Sequence, residues 1–154
     1  MEIKNVLAHK TVVIPEIFKN KIELRFKCEL TDDELVGFAY VLKFCEKILL
    51  KDGFSNSDLT RVSVLFIDDG KIEMTENDPL CCGSHFSLIV YNMNRIRRLN
   101  NFLKTMTVFT EELVHHYWRI EDEHLVKHKD VEILKLGNPV FSLELFKEWG
   151  IYDF

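Results

Sequence analysis

Apolar and polar positions first separate along this chain between residues 31 and 50. Leu35, Phe38, Ala39, Leu42, Cys45, Ile48 and Leu49 recur at helical spacing, the stripe an amphipathic helix buries on one side. Thr31 precedes that stripe with Glu34 three residues on, the arrangement of a capping box. The pattern predicts a helix from Thr31 to about Leu50, ended by Lys51-Asp52-Gly53. Short strands are predicted on either side. Residues 11–14 and 22–28 come before the helix. Val62–Ile67 follows it and ends at the turn signal Asp68-Asp69-Gly70. Lys71–Thr75 reads as the returning arm of a hairpin, and residues 84–92 as a third strand beyond the break at Asp78-Pro79. Helical spacing then resumes over 99–120, about 123–136 and about 142–149, with Gly137-Asn138-Pro139 as a stop. Strands, a helix, three strands and then helices read as an α+β fold, a small mixed or antiparallel sheet packed with helices.

The 154 residues fit a single domain spanning 1–154. With 47% apolar and 29% charged residues, the composition is that of a globular protein that folds without a disulfide or metal. Twenty basic against 25 acidic residues give a net charge of −5, which disfavours a general nucleic-acid binder. No apolar run reaches membrane-spanning length, so no membrane role is expected. Residues 1–10 lack the apolar core of an export signal. The expected setting is therefore cytoplasmic, with Cys28, Cys45, Cys81 and Cys82 as reduced thiols. A zinc site at Cys81 and Cys82 has little support from their spacing.

Charge changes the picture most between residues 111 and 132. Seven carboxylates face three cations there, and His115, His116, His124 and His128 fall within the same stretch. Imidazole and carboxylate together suit zinc, iron or manganese. A solvated, acidic helical hairpin is the plain alternative. On the 99–120 helix, Leu103, Met106, Phe109, Leu113, Val114 and Tyr117 share one face, while Glu111 and His115 stand one turn apart on another. On the next helix His124, His128 and Glu132 are also spaced by four. A tight turn between the helices can bring Glu111, His115 and one of His128 or Glu132 to a common point. Three ligands with room for water make the open form of a catalytic metal site.

Thr110-Glu111-Glu112-Leu113-Val114-His115-His116-Tyr117, on a helix after a sheet and before a second helix, resembles the active-site helix of the zincin metallopeptidases, in particular the gluzincin branch. The family motif is H-E-x-x-H with a further Glu on the following helix, and here Glu111 replaces the first His. The resemblance implies a zincin-like fold over about residues 31–136 and a divalent metal, zinc or else manganese or iron. It implies His115 as the second metal-binding His, Glu112 as general base, and Glu132 or else His128 as the downstream ligand. Glu111 at the first ligand position adds negative charge and weakens the metal as a Lewis acid. The expected activity is metal-dependent peptide hydrolysis or, if that chemistry has lapsed, a binding or regulatory module that keeps the fold. In both cases the partner is a peptide or protein, and the oligomeric state is open.

Other constellations are weaker. Glu112 and His115 also form an ExxH pair, but a di-iron bundle needs a second pair and four long helices. Arg95, Arg97 and Arg98 form a basic cluster that reads as a solvated helix entrance before a phosphate site. Phosphate-binding, dinucleotide and nucleophile-elbow motifs are absent. His9 and His85 are isolated, and Trp118 and Trp149 read as core anchors.

Overall fold

The computed structural model describes residues 2–3, 6–7, 12–83 and 85–152. Its centre is a three-stranded sheet of β2 (Ile22–Phe26), β3 (Val62–Ile67) and β5 (Leu88–Asn92), in the order β2-β3-β5. Both pairings are parallel, with Ile22 opposite Val62 and Ser63 opposite Leu88. A separate two-residue ribbon joins β1 (Glu2–Ile3) to β4 (Met74–Thr75), antiparallel. The sequence expectation of a hairpin between β3 and Lys71–Thr75 is therefore corrected. Both edges of β3 are occupied, by β2 and β5, so the chain leaving Asp68-Asp69-Gly70 has no free edge to return along. The continuous apolar run of β3 is the pattern of a strand buried between parallel neighbours, and five of its six residues are buried. Of the 11–14 strand, Thr11 lies outside the described residues and Val12–Ile14 are irregular. Ser84 lies outside them as well, and the third strand begins at Leu88.

Helix α1 (Asp32–Lys51) connects β2 to β3, the crossover a parallel pair needs. Its capping box forms as expected. Thr31 Oγ1 accepts from the Glu34 N–H at 3.2 Å, and Glu34 Oε2 accepts from the Thr31 N–H at 2.9 Å. Glu34 also receives the Arg97 guanidinium at 2.8 and 2.9 Å, and Arg97 donates to the Glu29 carbonyl. That residue of the arginine cluster thus ties α2 (Met93–Arg97) to the start of α1.

The core lies between the sheet and α1, α3 (Phe102–Trp118) and α4 (Glu123–Leu134), with α5 (Leu143–Glu148) closing the chain. Phe38 of α1 meets Phe66, Tyr91 and Phe109 edge-on at 5.2, 5.9 and 5.3 Å, a geometry aromatic quadrupoles favour. Tyr91 buries its hydroxyl by donating to the Phe109 carbonyl at 2.6 Å. This contact fixes α3 against β5. Gly137 follows α4, and any side chain there would meet the Phe44 ring at 2.4 Å. Close approach to α1, as well as helix termination, therefore accounts for it. Among the described residues no helix is long and apolar enough to cross a membrane.

Candidate metal centre

Helix α3 ends at Trp118, and Arg119 adopts the left-handed conformation at φ 54°, a conformation that costs a non-glycine residue free energy. The turn it makes brings the Ile120 carbonyl back over the helix, where it meets His115 Nδ1 at 2.7 Å. Donation from Nδ1 leaves Nε2 of a neutral imidazole free to accept a proton or ligate a metal. Asp122 then caps α4, its Oδ1 accepting from the Leu125 N–H at 3.0 Å. The short turn fixes the register of the two antiparallel helices: His115 faces Glu123, and Glu111, one turn earlier on α3, faces Lys127, one turn later on α4.

One atom each from Glu111, His115 and Glu123 lies within 4.8 Å of the others. His115 Nε2 and Glu123 Oε1 are 3.6 Å apart. Glu111 is held by the Lys127 ammonium through Oε2. Lys127 is itself buried and lies 3.9 Å from Asp130 Oδ2. Asp130 is fully buried, and neither of its oxygens has a hydrogen-bond partner among the described residues. Burial pushes its carboxyl well above the usual range; Lys127 opposes this, while Glu111, Glu123 and Glu112 reinforce it. Glu112, a largely solvent-facing residue, is raised as well, by partial desolvation of its carboxyl and then by Glu111 and Glu123, against His115 and Lys127. Four carboxylates thus share one lysine and one imidazole. Two carboxylates and an imidazole are a donor set suited to zinc, manganese or iron. The fixed Nδ1 tautomer is what such a ligand requires.

No family model, curated protein or solved structure matches this chain.

The structure brings together two of the residues expected as metal ligands, Glu111 and His115. They face α4, half-buried, rather than open solvent. Glu132 and His128 do not join them in the Glu111–His115–Glu123 group. Glu132 accepts from Lys51 at 3.0 Å and from Lys129 at 2.6 Å, on the side of α4 that meets the end of α1. His128 Nε2 lies 3.3 Å from the Tyr152 hydroxyl. The physical reason is register. Five residues separate Lys127 from Glu132, about 7.5 Å along the helix, which carries Glu132 beyond the level of Glu111. Glu112, the expected general base, is exposed on the neighbouring position of α3.

Sequence reasoning missed Glu123 and Lys127. Their signal was the length of the turn after Trp118, since that length decides which residues of α4 stand opposite Glu111 and His115. Cys28 and Cys45 are buried free thiols, and Cys82 is an exposed one. His9 lies outside the described residues.

A cavity of about 410 Å³ opens beside the cluster. Glu111, Glu123, His124 and Lys127 line its polar end, and Leu99, Val108, Ile151 and Tyr152 its apolar walls.

Proposed function

We propose that this chain is a metal-dependent binding module in which Glu111, His115 and Glu123 hold a divalent cation at the α3–α4 corner. One observation carries the reading: His115 gives its Nδ1 to the Ile120 carbonyl and sets Nε2 3.6 Å from Glu123, in a group that Glu111 completes within 4.8 Å. A cation there relieves a cluster of four carboxylates in which the Lys127 ammonium pairs with Glu111 and lies near Asp130. The partner is a peptide or protein segment that sets an apolar side chain into the adjoining cavity and a polar group against the metal. That combination of apolar walls and few polar groups is typical of binding sites.

A zincin-like hydrolase is the second reading. Glu111, Glu112 and His115 keep the ligand–base–ligand spacing of the peptidase motif, and the cavity gives a substrate side chain room. In that reading Glu111 and His115 would hold a metal that would supply Lewis-acid chemistry, and Glu112 would take the proton of the attacking water. The parallel sheet and Glu111 favour the binding module. The cytoplasm remains the proposed compartment.

Calorimetric titration of untagged protein with zinc and manganese tests the proposal. One ion should bind per chain, and Glu123→Gln and His115→Ala should each weaken it at least about tenfold. Lys127→Gln should tighten binding about tenfold, because a cation a few ångströms from the ion repels it and competes for Glu111. Unchanged affinity in all three variants overturns the site. If the metal-loaded protein cleaves peptides and Glu112→Gln abolishes cleavage while keeping the ion, the hydrolase reading replaces the binding module.

A further inference from the structure

A second site follows from the parallel direction of the strands. Since β2, β3 and β5 run the same way, the residues leading into them meet at one edge of the sheet. The Val62 N–H donates to the Lys21 carbonyl at 2.8 Å, and the Ser63 N–H to the Ser87 carbonyl at 3.0 Å. These bonds set Lys21, Arg61 and Phe86 side by side. Helix α3 ends at the same edge: Thr60 Oγ1 and His116 Nε2 are 3.2 Å apart, which draws the left-handed Arg119 toward Arg61. Together they line an open groove of about 970 Å³.

The groove's charge is opposite to that of the chain. Lys21, Arg61 and Arg119 form no ion pair among the described residues. The one carboxylate that lines it among the described residues, Glu23, is occupied by Arg25 at 2.9 Å. Three uncommitted cations lining one groove, in a chain of net charge −5, make a local positive field that attracts an anion. Two are arginines, whose planar fork matches phosphate oxygens. Beside them Phe86 leaves 41% of its surface exposed, an aromatic face without a stacking partner among the ring contacts of the described residues.

We infer that this groove binds a nucleoside diphosphate or a closely related phosphorylated nucleoside, its phosphates on Lys21, Arg61 and Arg119 and its base against Phe86. Acidic peptides offer the charge without the flat ring, and inorganic phosphate offers neither the ring nor the length. Single-stranded nucleic acid requires a cationic track along the backbone, whereas these cations converge on one groove.

Calorimetry with ADP, in EDTA so that no metal bridges ligand and protein, tests the inference on the full chain. ADP should bind with a Kd on the order of 100 µM or tighter. Arg61→Gln and Arg119→Gln should each weaken it about tenfold, with unchanged melting temperatures because both side chains are exposed. Phe86→Ala should weaken ADP several-fold and leave pyrophosphate unaffected. Absence of ADP binding, equal affinity in the arginine variants, or pyrophosphate binding as tightly as ADP overturns the inference. So does binding of an oligonucleotide alone.

Discussion

The α3–α4 hairpin carries two clusters of charge that differ in one respect. Where it meets the end of α1, Asp52 and Glu132 are matched by Lys51 and Lys129. Lys129 reaches Asp52 at 2.9 Å and Glu132 at 2.6 Å, lies over the Trp118 ring, and Lys51 completes Glu132 at 3.0 Å. Trp118 Nε1 adds a hydrogen bond to Asp52 at 2.8 Å. Burial raises both carboxyls, yet these hydrogen bonds outweigh it and hold both below the usual range. At the other cluster Lys127 pairs with Glu111 and lies 3.9 Å from Asp130, Glu112 and Glu123 add further negative charge, and desolvation leaves Glu112 and Asp130 above the usual range. A balanced cluster fastens helices together. An unbalanced one costs stability, and such arrangements gather at functional sites.

The largest effect comes from unbalancing the first cluster. Lys129→Met should lower stability by about 1–2 kcal/mol at pH 7, read as a shift in urea midpoint. Asp52 and Glu132 have folded pKa values below their unfolded ones, so their contribution is present above about pH 4 and fades as pH falls through the lowered values. The gap between Lys129→Met and the native chain should therefore close in acid.

Relieving the second cluster should act in the opposite direction. Burial raises the Asp130 carboxyl well above the usual range in the folded state, while the unfolded chain loses that proton above about pH 4, so this group makes the native fold lose stability as pH rises. Asp130→Asn has no proton to lose. Its stability relative to the native protein should therefore rise between about pH 4 and pH 7, read as melting temperatures of the two proteins across that range. A difference that stays constant from about pH 4 to pH 7 would mean that Asp130 keeps an ordinary carboxyl against Lys127 at 3.9 Å, and the contrast between the clusters would fail.

The helices were legible because each has its own signals. Thr31 and Glu34 mark the start of α1, and the Phe38–Leu42–Cys45–Leu49 stripe gives its buried face. The sheet was less legible. Val62–Ile67 can be read as one arm of a hairpin or as a central parallel strand, and only the partners on both edges decide. The candidate site was half legible for a related reason. Glu111 and His115 follow from spacing within one helix, whereas Glu123 and Lys127 depend on the register between two. That register is set by a left-handed residue at Arg119, a conformation that an arginine does not announce.

The two clusters make opposite claims on metal, so the most direct measurement is metal content by mass spectrometry of three untagged proteins purified in parallel. The native chain should carry a stoichiometric divalent ion after equilibration with zinc or manganese and removal of excess. His115→Ala, which takes the imidazole from the unbalanced cluster, should lose it. Glu132→Ala, which disturbs the balanced one, should keep it. Loss of metal from Glu132→Ala with retention in His115→Ala would contradict the account and place the ion at the wrong end of the hairpin.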